Sequence, residues 1–124
     1  MASHSRLTWI RLCGVAAIGL LVISSLSGVF AQPRTILGWQ LEHSFGYFAA
    51  AVILFAGWPR PFVVTGAMVL IAGLMEVLQF FTPNRHPNLE AVVWGAGGVV
   101  VAVALAELFI RASNRRSSAA SKIR

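Results

Sequence analysis

From residue 12 to residue 30 the chain runs through 19 positions without a charge. At about 1.5 Å per residue a helix of that length reaches roughly 28 Å, close to the thickness of a bilayer's hydrocarbon core. The pattern recurs downstream: of 124 residues 57% are hydrophobic and only 11% charged, where soluble domains carry roughly 25% charged residues. A soluble fold of this size could not hide so much apolar surface, so the solvent of this chain is lipid. Most soluble enzyme classes are thereby excluded. Cys13 is the single cysteine, which rules out an intrachain disulfide and a cysteine-based metal site. No zinc motif, nucleophile elbow or dinucleotide fingerprint occurs, so neither a metal nor a cofactor is expected.

Four apolar runs predict an all-α, polytopic four-helix bundle with spans at 12–30, 41–58, 62–81 and 90–110, between a basic N-terminus (1–11) and a basic tail (111–124). The first run has a rival reading as a secretory signal, because Arg6 and Arg11 precede it and Val29-Phe30-Ala31 resembles a cleavage site. Its length exceeds the usual apolar region of about 15 residues, and Gln32-Pro33 is a poor mature start, so retention is the working reading. The second apolar run is short, only 15 residues from 44 to 58, and must recruit residues 39–43 to cross. Pro59-Arg60-Pro61 breaks the helix and leaves a tight antiparallel return. Thr82-Pro83-Asn84 ends the third span, and Asn88 is placed to cap the fourth. The Ser-, Ala- and Arg-rich tail reads as disordered beyond a short helical extension.

Short loops rich in Lys and Arg stay in the cytoplasm. With both termini inside, Arg6, Arg11, Arg60, Arg111, Arg115, Arg116, Lys122 and Arg124 are cytoplasmic and only Arg34 and Arg85 lie outside. The tail then reads as a topology anchor touching anionic lipid headgroups, not as a nucleic-acid binder, since no aromatic residues interleave its charges. Glu107 and Arg111 form an i,i+4 pair in the favourable order.

In that topology the polar residues gather toward the extracytoplasmic side. Glu76 is the most informative, because a carboxylate within a span costs several kcal/mol unless protonated, paired or facing a polar cavity, as roughly estimated for buried charges. Gln79 follows on the same side of its helix; the pair could hold a ligand or staple helices together. His43 and Tyr47 stack on one face of the second helix, open both to a hydrogen-bonded role and to an interfacial one. Arg85, between prolines, suits phosphate or carboxylate, or pairs with Glu90 or Glu42. Glu90 also complements the dipole of the fourth helix. Gly95, Gly97, Gly98, Ala102 and Ala106, with Gly66 and Gly73 on the third span, read as close-packing positions.

The order Glu42-His43 with Tyr47, then Glu76-Val-Leu-Gln79, then Phe81-Thr-Pro83-Asn-Arg85, then a small-residue helix, resembles the VanZ-like membrane proteins from about residue 39 to 104. The chain departs from that family in having Gln40-Leu41-Glu42 before the His, and Glu90 and Trp94 at the fourth helix. The resemblance implies a multi-pass protein of a bacterial cytoplasmic membrane, in a family named for glycopeptide tolerance. Its pocket residues would be His43, Tyr47, Glu76, Gln79, Arg85 and Glu90. The expected partners are membrane lipids, an anionic lipid-linked ligand of the cell envelope and a further copy of the chain. Two alternatives stay open at this level. One is a hydrolase or transferase acting on a lipid-linked substrate, with Glu76 or His43 as general base; the other is a passive helix-packing partner.

Overall fold

The computed structural model describes residues 2–27, 36–83 and 86–121. These form four helices, α1 (Ala2–Leu26), α2 (Trp39–Gly57), α3 (Pro61–Gln79) and α4 (Leu89–Ser121), and no strand among the described residues. The proline and glycine positions set the boundaries. Gly38, at φ 84, turns the chain into α2, in the left-handed region that costs glycine least. Beyond α2 the Trp58 N–H returns to the Leu54 carbonyl, and Pro61 sits in the first turn of α3, where its missing amide hydrogen is no loss. At the end of α3 the helix tightens, with Phe80, Phe81 and Thr82 donating three residues back. Asn88 caps α4 as expected, its Oδ1 accepting the Glu90 N–H at 2.9 Å.

Helices α1 and α2 run antiparallel, as the pairings of Arg11 with Gly57, Gly14 with Leu54 and Leu21 with Gly46 show. The first turns of α2 lie along those of α4, where Ser44 Oγ donates to the Trp94 carbonyl at 2.7 Å. Helix α3 packs chiefly on α4, and α2 touches each of the other three. The core follows helical spacing: Tyr47, Ala50, Ala51, Leu54 and Phe55 on α2, Val64, Met68 and Ala72 on α3, and Val99, Ala102 and Val103 on α4. Gly98 permits the α2–α4 contact, since a Cβ there would run into the Ser44 carbonyl oxygen. Gly95 similarly sits against the Tyr47 ring. The other expected packing glycines differ: a Cβ at Gly66, Gly73 or Gly97 would meet nothing within 4 Å. Their spacing marks a face, but in this bundle that face points outward.

The exterior is apolar. Leu20, Phe62, Leu70 and Phe109 stand out at 69, 91, 63 and 76% exposure, the opposite of a soluble bundle and the arrangement that lipid solvates. Helices α1, α3 and α4 are long and apolar enough to cross a membrane. The second, expected to span at 41–58, does not meet that description on its own, because Gln40, Glu42, His43 and Ser44 occupy its first turns. Two boundaries also shift. Helix α1 begins at Ala2 and ends at Leu26, short of the expected end, with residues 28–30 outside those described. Helix α4 continues through Ser121, well past the short helical extension after which the tail was expected to be disordered. No proline or glycine follows Gly98, Ala and Arg favour helix, and Arg111 reaches back to Glu107 through Nε and Nη2 at 3.0 and 2.8 Å.

Candidate functional site

The last turns of α3 and the first of α4 meet over one carboxylate. Glu76 is 7% exposed and Gln79 5%, both turned inward on α3. Asn88, in the segment leading into α4, donates its backbone N–H to Glu76 Oε2 at 2.8 Å, and Gln79 Nε2 lies 3.5 Å from Glu76 Oε1 as a longer donor. The turn after α3 makes this possible by returning the chain within twelve residues to the level of Glu76. Asn88 therefore works at both ends: its side chain caps α4 while its amide is held by α3.

Tyr47 of α2 completes the inner wall. It is 1% exposed, and its hydroxyl has no hydrogen-bond partner among the described residues. Ser25 at the end of α1, itself 8% exposed, and Glu76 are the polar groups near enough to act on that hydroxyl. The His43 ring stands 5.0 Å from the Tyr47 ring, inclined at 48°. Gly95 of α4 comes close to both, its missing Cβ leaving room for the Tyr47 ring and for His43 Nε2. Helices α1, α2 and α3 and the segment leading into α4 thus contribute to one polar cluster at one end of the bundle, with Gly95 of α4 making room for it.

Of the residues expected to form a pocket, His43, Tyr47, Glu76 and Gln79 come together. Glu90 does not join them: it is exposed and accepts the Trp94 Nε1–H at 3.2 Å, one turn along its own helix. As an N-terminal helix carboxylate braced by an indole, it has a complete local account. Arg85 lies outside the described residues. Ser25 and the Asn88 amide are the members that the sequence did not disclose. Ser25 sits in an apolar run with no companion charge, and a backbone amide leaves no trace in a residue pattern. No group of three or more His, Cys, Asp or Glu among the described residues could hold a metal ion.

Chemically the cluster offers a carboxylate whose two oxygens already take donors from the chain, plus two hydroxyl groups on neighbouring helices. Such a carboxylate is better placed to hold backbone in register than to abstract a proton, which requires a free oxygen facing the reacting atom. No family model, no curated protein and no solved structure matches this chain.

Proposed function

We propose that the chain is a VanZ-like, four-span protein of a bacterial cytoplasmic membrane, with both termini cytoplasmic. Its polar cluster binds the anionic headgroup of a cell-envelope lipid on the outer side. One observation carries this reading: the Tyr47 hydroxyl is buried near Ser25 and Glu76 without closing a hydrogen bond of full geometry to any described residue. A buried hydroxyl that closes no full hydrogen bond costs free energy, and a phosphate oxygen would supply a better-placed acceptor. Glu76 then positions the α3–α4 connection, and Arg85, within that connection by sequence, supplies the charge for the anion. Helix α2 crosses as the fourth span because its polar first turns lie within the cluster.

The test uses the detergent-purified full chain with a polyprenyl phosphate, and the matching uncharged polyprenol as control. A hydrogen bond to a charged group contributes about 1.5–3 kcal/mol, so Tyr47→Phe weakens phosphate binding about tenfold or more without lowering thermal stability. Arg85→Gln abolishes the preference for the phosphate, and Glu76→Gln lowers glycopeptide tolerance in cells. Wild-type binding by Tyr47→Phe, or equal binding of phosphate and alcohol by the wild type, overturns the proposal.

The Asn88–Glu76 bond favours a second reading, in which the cluster only staples α3 to α4. Under it, Glu76→Ala destabilises the bundle, Glu76→Gln is well tolerated because the amide oxygen still accepts, and neither Tyr47→Phe nor Arg85→Gln affects any ligand.

A further inference from the structure

The opposite end of the bundle carries cations and no acid free to neutralise them. Glu107 is held by Arg111 at 2.8 Å, and neither Arg11 nor Arg60 pairs with an acid among the described residues. Arg11 is also fixed in direction. Its Nε donates to the Gly57 carbonyl at 3.1 Å, and its guanidinium carbon stands 5.3 Å from the centre of the Trp58 ring. The absence of a side chain at Gly57 lets the Arg11 stem lie against α2, with its Cγ 3.1 Å from where a Cβ would sit. With Nε committed, the two Nη groups remain for an external acceptor, in a planar fork whose rotation the carbonyl and the indole restrict. Arg60 lies in the same turn: its N–H bonds the Trp58 carbonyl at 2.7 Å, while its side chain makes no capping bond and is exposed.

We infer that Arg11 and Arg60, flanking Trp58, form a binding site for the phosphodiester headgroup of an anionic phospholipid in the leaflet at this end of the bundle, separate from the cluster around Glu76. The surroundings fit an amphipathic ligand, not a free ion. Phe62 and Val63, next to Arg60, are 91 and 60% exposed, and Leu12 and Val15, beyond Arg11, are 54 and 57% exposed. These apolar surfaces lead away from the two guanidinium groups toward the body of the bundle, so a headgroup on the arginines would lay its acyl chains along them. A tryptophan at the boundary belongs to the same arrangement, since indole partitions to the headgroup level.

The experiment reconstitutes the full chain in phosphatidylcholine nanodiscs and measures its association with spin-labelled phosphatidylglycerol against spin-labelled phosphatidylcholine. An arginine near an anionic surface is worth about a fivefold change in association. Wild type therefore prefers the anionic label by at least that factor, and Arg60→Gln reduces the preference about fivefold. Arg11→Lys, which keeps the charge but not the fork, also loses preference. Arg115→Gln removes the same charge from the projecting end of α4, where no second arginine and indole share a headgroup, and lowers the preference clearly less than Arg60→Gln does. Equal association of the two labels overturns the site, as does an equal loss in Arg115→Gln and Arg60→Gln. Displacement of the anionic label by inorganic phosphate overturns the lipid assignment. Arg60 makes no side-chain bond among the described residues, so Arg60→Gln folds and decides the matter even if Arg11 variants do not.

Discussion

Glu76 holds two segments that the sequence separates by a loop. Removing its acceptor leaves the part-buried Asn88 amide without its partner, and since a fully buried unsatisfied group costs about 1–3 kcal/mol the loss here lies toward the lower end of that range. Glu76→Ala should lower the thermal midpoint in detergent accordingly, and Glu76→Gln much less. A midpoint unchanged in Glu76→Ala would show that water replaces the carboxylate. The glycines of α4 give a paired prediction. At Gly98 a methyl group meets the Ser44 carbonyl, and overpacking costs about 1–3 kcal/mol, so Gly98→Ala should destabilise. At Gly97 a methyl group meets nothing within 4 Å, and the gain in helix propensity, up to about 1 kcal/mol, should leave Gly97→Ala neutral or more stable. At this scale the sequence exposed the costly residue and half of its surroundings. An acid among lipids announces itself because it violates a solvation rule, whereas Ser25 violates none. Spacing shows which glycines share a face, but only the packing of neighbours shows which face is used.

The helices themselves were largely legible, since uncharged runs bounded by Pro and Asn leave few other choices. Their ends were less so. Helix α4 runs past its long apolar stretch, because nothing in Arg111-Ala112-Ser113-Asn114 breaks a helix already under way, and propagation is far easier than nucleation. The Glu107–Arg111 pair is exposed on its arginine side, and exposed i,i+4 pairs contribute only about 0.3–0.5 kcal/mol. Arg111→Ala should therefore increase amide exchange from residue 111 onward without moving the global unfolding transition; a fall in the global transition would show that the extension is part of the cooperative core. The start of α4 is firmer. Asn88→Ala removes the side-chain cap, worth about 1 kcal/mol, yet keeps the backbone N–H that Glu76 accepts. Its effect should be smaller than that of Glu76→Ala, measured in the same melts. Helix α2 shows the converse limit of sequence reading: its polar opening makes it a poor span in isolation, and only the contacts with three neighbours explain how such a segment is accommodated.

For the whole molecule, the separation of charge between the two ends was visible from composition and order alone. Among the described acids Glu42, Glu76 and Glu90 fall at one end, while Arg6, Arg11, Arg60, Arg111, Arg115 and Arg116 fall at the other. Which end faces the cytoplasm follows from the proposal and has a direct check. In a Cys13→Ser background, Ser118→Cys should react with a membrane-impermeant thiol reagent only after cells are opened, and His86→Cys should react in intact cells. The reverse pattern would invert the orientation and move the cluster around Glu76 to the cytosolic face.

The hydrogen bond between Glu76 and Asn88 also fixes the root of a rod. Helix α4 has 33 residues, about 50 Å at 1.5 Å per residue, and its far third stands clear of the bundle. A rotation of about 5° at the anchored root would swing the tip by about 4 Å over that length. A small rearrangement around one acid would thus arrive, magnified, at the far end of the helix.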